Sequence, residues 1–181
     1  RALRESGGRC AHNWFKAWGF EYVYLEEGNN VAKLVDVFRS VKDTTRPTVV
    51  HIHTEKGHGF APAVEDKEAW HYSAPFDRAD GQRPATPAQE TYEQLFSDWM
   101  LREMKHDKSL IAVTAGTPSA GGFTPAKRTE AGEQYLDMGI AEEQAVAMIS
   151  GMAKGGLRPV WTVFSTFIQR TYDQIAQDLC I

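Results

Sequence analysis

Glu142 and Glu143 stand side by side in "DMGIAEEQAVAM", where the chain turns apolar. In the first turn of a helix, acidic side chains are favoured by the macrodipole, so capping alone would account for them. Successive helical residues point about 100° apart, however. The two glutamates therefore face different surroundings, one towards the sheet edge and one towards solvent. A carboxyl held against an apolar wall can keep or share a proton at neutral pH, which is general acid–base chemistry. Further on, "FSTFIQR" sets Phe164, Phe167 and Arg170 around a Ser-Thr turn. Read blandly, these are two core rings and a surface charge. Read chemically, they are an aromatic face for a planar ring and a guanidinium for a phosphate or carboxylate.

A second group lies in "KGHGFAP" and "WHYSAPFD", which carry Lys56, His58 and His71 among glycines, prolines and aromatics. A single loop histidine is more often structural than reactive. Two histidines and a lysine beside a strand end give the functional reading equal weight. His51 and His53 alternate along one strand and so share a face, as metal ligands would. No third ligand accompanies them, so they are expected to be buried strand histidines, and no metal ligands are expected in this chain. His12 and His106 are read as surface residues. No glycine-rich loop of the phosphate-cradling kind is present.

These residues need elements to hold them, and the chain supplies an α/β rhythm. "EYVYLEE" reads as a strand, and "NNVAKLVDVFRSVKD" as an amphipathic helix capped by Asn29 or Asn30. "PTVVHIHT" reads as a buried parallel strand, completing a right-handed βαβ unit. Residues 56–77 lose periodicity, and a stretch of that length in a compact domain tends to be functional. "RADGQRPATPAQ" reads as a linker. After it come a helix through Tyr92 to Asp107 with Thr91 as cap, a strand in "SLIAVTAG", a loop in "TPSAGGFTP" and a short strand in "QYLDMG". A helix in "IAEEQAVAMISGMAKGG", a strand in "RPVWTVFS" and a helix in "TFIQRTYDQIAQDL" complete the chain. The most economical organisation is two α/β halves joined by a linker, residues 1–77, 78–90 and 91–181. Each half carries a mostly parallel sheet flanked by helices. In such sheets ligands bind outside the carboxyl ends of the strands, where "KGHG", "GIAEE" and "FSTFIQR" all fall.

Bulk properties narrow the function. The 181 residues are 42% hydrophobic, 24% charged and 11% aromatic, enough apolar material for a packed core. A net charge of −4 gives no basic footprint for nucleic acid. No apolar run approaches the roughly 20 residues of a membrane helix. Cys10 and Cys180 are widely separated and form no zinc or disulfide spacing, which fits a reducing cytoplasm. Both ends read as cut: there is no initial Met, and the last helix has no stop signal. A fragment of a longer protein is the expectation.

The motifs together resemble a known family. "HIHTEKGHGFAPAVEDKEAWHYSAPFD" resembles the end of the first domain of the 1-deoxy-D-xylulose-5-phosphate synthase family, within the transketolase group of thiamin-diphosphate enzymes. "YLDMGIAEEQAVAMISGMAKGGLRPVWTVFSTFIQRTYDQIAQDLCI" resembles the start of its second domain. The resemblance implies two incomplete thiamin-diphosphate-binding folds. Residues 1–77 would end the first, diphosphate-binding domain, and residues 91–181 would begin the second, pyrimidine-binding domain. It implies that Glu142 hydrogen-bonds the cofactor's aminopyrimidine and that Phe167 stacks on it with Phe164 nearby. It places Arg170 and His71 at the substrate, and Lys56 and His71 near the reacting centre, where donors stabilise developing oxyanions or move protons.

The implied reaction decarboxylates pyruvate and joins the two-carbon unit to glyceraldehyde 3-phosphate. The implied assembly is a cytoplasmic homodimer with no nucleic-acid or membrane partner. The family's "GDG…N" motif for Mg²⁺ and diphosphate does not occur in these residues, so the isolated chain is expected to be inactive. Departures leave the donor and acceptor open: "AEEQAV" replaces "AEQHAV", Phe164 replaces a tyrosine, and "WHYSA" replaces "WHGVP". The alternatives are another transketolase-type two-carbon transferase and a non-catalytic homologue.

Overall fold

A computed structural model describes residues 2–84 and 89–180. Part of the expected linker, residues 85–88, lies outside the described residues. The chain divides into two compact units, one up to residue 86 and one from residue 87.

In the first unit, short helices α1 (Ala2–Glu5) and α2 (Trp14–Ala17) precede strand β1 (Glu21–Leu25). Helix α3 (Val31–Val41) crosses to strand β2 (Thr48–Ile52), and α4 (Ala61–Glu65) follows. Strands β1 and β2 pair in parallel, from Glu21 opposite Thr48 to Leu25 opposite Ile52. The βαβ unit forms as the periodicity predicts. Asn30 caps α3 by accepting from the Lys33 amide at 3.2 Å, which satisfies an otherwise orphaned donor of the first turn. Gly28 permits a close crossing here: a Cβ would meet Ile52 and the His53 carbonyl. The core of this unit is thin. Leu25 is its one buried large hydrophobic among the described residues, and Val31, Val35 and Phe38 of α3 stay exposed.

The second unit is better filled. Helix α5 (Tyr92–His106) leads to β3 (Leu110–Thr114), then α6 (Pro125–Ala131), β4 (Tyr135–Asp137), α7 (Glu142–Lys154) and β5 (Arg158–Trp161). The parallel sheet has the order β4-β3-β5. All five residues of β3 are buried. Its alternation sends Leu110 and Ala112 into a core with Met100, Leu101, Met104 and Phe123, and Ile111 and Val113 into another with Ala145, Ile149 and Met152. A central strand covered on both faces needs no polar side, which is why "LIAVT" reads as a continuous apolar run. Pro159 is tolerated because β5 is an edge strand, so no ladder donor is missed.

Three local readings change. Pro125, read as the end of a loop, and residues 126–131, given no element in the sequence, form a helix started by Thr124 and Pro125; it is too short to show a period. Residues 61–65, inside the segment without periodicity, also form one helical turn. The last segment, read as one regular helix, varies in pitch. It is tight over Ile168–Thr171, α-helical over Tyr172–Gln174 and wide over Ile175–Leu179. There the Ser150 hydroxyl of α7 donates to the Asp178 carbonyl at 2.5 Å, a tertiary contact that takes up a backbone acceptor.

Candidate active site

Strands β3 and β4 end in two glycine turns. Gly116 has φ 73° and Gly139 φ 69°, values that favour glycine. The Asp137 carboxylate accepts from both turn amides, from Gly116 at 2.8 Å and Gly139 at 2.9 Å. One side chain thereby fixes the loop from the sheet's carboxyl edge into α7. The sequence signal was available: an acidic residue two positions before a glycine at a strand end.

Glu142 is the first residue of α7. It caps nothing, since no side-chain capping bond forms at this helix start. It is 2% exposed, whereas Glu143 is exposed. The expected separation of the two carboxylates therefore holds. Its cause is the helix stripe: Glu142, Ala145 and Val146 are the buried residues of α7, and Ile149 and Met152 continue the packed face. Glu142 occupies an apolar position of that stripe. Its carboxylate receives a charge-assisted bond from Arg170, Nη1 to Oε2 at 3.3 Å. The guanidinium reaches it from the turn Ile168–Thr171, which packs on α7. Phe164 and Phe167 precede that turn; their rings meet edge to face at 6.0 Å and are 46% and 37% exposed. They are not core rings. The second unit thus gathers a buried carboxylate, a guanidinium and two open aromatic faces at the carboxyl side of a parallel sheet.

Lys56 and His71 belong to the first unit, both on exposed loops. They meet: Lys56 Nζ lies 2.5 Å from His71 Nδ1. An ammonium can only donate, so Nδ1 accepts and the neutral ring carries its proton on Nε2. The pair is a donor–acceptor couple between two exposed residues of the first unit. His58 does not join it and instead lies 3.3 Å from Glu55.

The histidines of β2 require a correction. They are half-buried rather than buried, and each has a different partner: His51 meets the Tyr22 hydroxyl at 2.5 Å, and His53, just past the strand, meets Glu26 at 2.9 Å. Glu26 also accepts from the Tyr24 hydroxyl at 2.5 Å. That bond, then the His53 bond, holds the Glu26 carboxyl below its ordinary range. The same bond pushes Tyr24 up to about 12. Among the described residues, no three His, Cys, Asp or Glu side chains converge as metal ligands.

Comparison with known proteins points the same way. Residues 88–181 match the family model described as transketolase, pyrimidine binding domain, and residues 4–54 match that of 1-deoxy-D-xylulose-5-phosphate synthase. The 1-deoxy-D-xylulose-5-phosphate synthase 1 of Geobacter sulfurreducens is 37% identical over 168 residues, 92% of this chain and 26% of that protein. The synthase of Symbiobacterium thermophilum is 40% identical, over 94% of this chain and 26% of its own length. That of Halothermothrix orenii is 34% identical, over 92% and 26%. The chain spans about a quarter of the length of these curated relatives.

Proposed function

The chain belongs to the family of transketolase pyrimidine-binding domains, and on that premise we propose that it forms part of a thiamin-diphosphate-dependent 1-deoxy-D-xylulose-5-phosphate synthase. The reaction is decarboxylation of pyruvate and transfer of the two-carbon unit to glyceraldehyde 3-phosphate. The observation that carries this reading is Glu142: a carboxylate 2% exposed, set in the apolar stripe of α7 and bonded to Arg170, three residues after Phe167. Such a setting fits a flat, mostly apolar aminopyrimidine with a ring nitrogen at one edge. Glu142 would bind that nitrogen, Phe167 would stack on the ring, and Phe164 would extend the apolar wall.

Thiamin diphosphate, when bound, supplies the carbon nucleophile and the electron sink for decarboxylation. The chain's own residues do the positioning. Glu142 would orient the pyrimidine by hydrogen-bonding its ring nitrogen from a desolvated position. Arg170 donates to that carboxylate and would meet a substrate anion. On the other unit, His71, whose Nε2 carries the ring proton, would give that proton, and Lys56 would fix its ring.

Residues 1–77 would close the diphosphate-binding domain and 91–181 would open the pyrimidine-binding domain. The ligands of Mg²⁺ and of the diphosphate would come from elsewhere in the complete enzyme, which would be a cytoplasmic homodimer supplying isoprenoid and thiamin precursors. The isolated chain would then be inactive. This reading includes no nucleic-acid or membrane partner; no helix among the described residues is long and apolar enough to cross a membrane.

The test is turnover by the complete enzyme. Pyruvate should be decarboxylated in the presence of glyceraldehyde 3-phosphate, and Glu142→Ala should abolish the reaction. Activity with ketose phosphate donors but not pyruvate would instead assign a different two-carbon transferase. Turnover unchanged by Glu142→Ala would remove the site assignment.

A further inference from the structure

The segment 56–84 carries an aromatic cluster that the proposed chemistry does not use. Phe60 and Trp70 meet edge to face at 5.0 Å, as do Trp70 and Phe76 at 4.8 Å, while Phe60 and Phe76 lie tilted at 5.4 Å. The Arg83 guanidinium covers the Trp70 ring at 4.7 Å, and its Nη2 donates to the Ala69 carbonyl at 2.8 Å. One cation therefore holds both the indole and the backbone just before it. Gly81, at φ 75°, lets the intervening turn close on the cluster: a Cβ there would stand 3.3 Å from Trp70 and 3.4 Å from Phe60.

In the chain, Phe60 and Trp70 of this cluster fall between Lys56 and His71, and Phe76 and Arg83 follow them. Trp70 is the neighbour of His71, and Phe60 follows Lys56 by one turn of loop, with the Phe60 amide bonded to Gly57. Lys56 and His71 are themselves exposed and lie on irregular backbone. A lysine side chain loses much rotamer freedom when held in one geometry, so the exposed Lys56–His71 contact is favoured by anchored backbone on both sides. The ring trio ties the two ends of the loop together, and Arg83 locks the ring nearest His71.

We propose that Arg83 and Trp70 are positioning residues, which clamp the 56–84 loop so that Lys56 and His71 are held as a couple. The catalytic use of that couple rests on the reading given above; the clamp itself does not.

The clamp can be read in the chain directly. His71 Hε1, beside Nδ1, should show a nuclear Overhauser effect to the Lys56 ε-methylene. It should be lost in Arg83→Gln and Trp70→Leu and retained in Arg83→Lys, which keeps both the cation over the ring and a donor for Ala69. An unchanged effect in Arg83→Gln overturns the clamp. If Trp70→Leu also collapses the amide signals of β1 and β2, the surface change Arg83→Gln decides alone. In the complete enzyme, Arg83→Gln should lower kcat about tenfold with little change in KM for pyruvate, since misplacement of a catalytic group by about 1 Å can cost up to 100-fold. It should have no further effect in a His71→Ala background. If His71→Ala leaves turnover intact, the catalytic reading of the couple fails, while the Overhauser result still judges the clamp.

Discussion

Arg170 donates to Glu142 across 28 residues of sequence, joining a half-exposed guanidinium to a carboxylate that is 2% exposed. The asymmetry in burial sets an asymmetry in cost. Removing the arginine leaves a buried acceptor without its cation, whereas neutralising the glutamate leaves an arginine that water can reach. Arg170→Ala should therefore destabilise the second unit by about 1–3 kcal/mol, and Glu142→Gln by less. Urea unfolding of both variants checks the order; a larger loss in Glu142→Gln would reverse the account.

Gly122 sits at φ 70° where the loop before α6 touches the start of α5, and a Cβ there would collide with the Glu93 carbonyl. Both the backbone conformation and the space exclude a side chain. Gly122→Ala should cost about 3 kcal/mol, in the range reserved for combined strain and overpacking. A melting temperature equal to that of the parent chain would show that the loop can move aside.

Thr91 and Gln94 form a reciprocal capping box at α5: the Gln94 amide donates to the Thr91 hydroxyl at 3.3 Å, and the Thr91 amide donates to the Gln94 side chain at 3.1 Å. Thr91→Ala should lower stability by about 1 kcal/mol and Thr91→Asp by much less, since aspartate also caps. Equal losses in the two variants would mean that capping is not the cause.

Asp107 ends α5 and accepts from the Ser109 hydroxyl at 2.6 Å, the Ser109 amide at 2.8 Å and Arg158 at 2.7 Å. The Ser109 hydroxyl, then the Ser109 amide, and after them Arg158 hold its carboxyl below the ordinary range. A carboxyl depressed in the folded state adds stability that is complete above its unfolded value and is lost as pH falls towards the folded one. The parent chain should therefore lose melting temperature more steeply than Asp107→Asn below about pH 4. Parallel slopes would remove Asp107 from the acid response.

Much of this was legible in the residues. Strong periodicity placed α3, α5 and α7. The uninterrupted apolar run of β3 announced a strand covered on both faces, because a covered strand has no polar side to show. Helical geometry required the two glutamates to face different surroundings, and the fold showed that Glu142 is the one in register with Ala145, Val146, Ile149 and Met152. The short helix at 125–131 carried too few apolar residues to announce itself. The pitch change after Ile168 depends on contacts with α7 that no local pattern encodes.

The sequence by itself determined the parallel α/β class, the candidate residues Lys56, His71, Glu142, Phe164, Phe167 and Arg170, and the family they resemble. The class follows from local periodicity, the candidates from residue type and spacing, and the family from the resemblance of short motifs; all of these act over a few residues. Only the tertiary structure decided which of those residues meet. The Arg170–Glu142 bond, the Lys56–His71 couple and the Arg83 guanidinium over Trp70 each join residues 13 or more apart in the chain. Such contacts exist because packing, not local preference, brings the loops together, and packing is a property of the folded backbone as a whole.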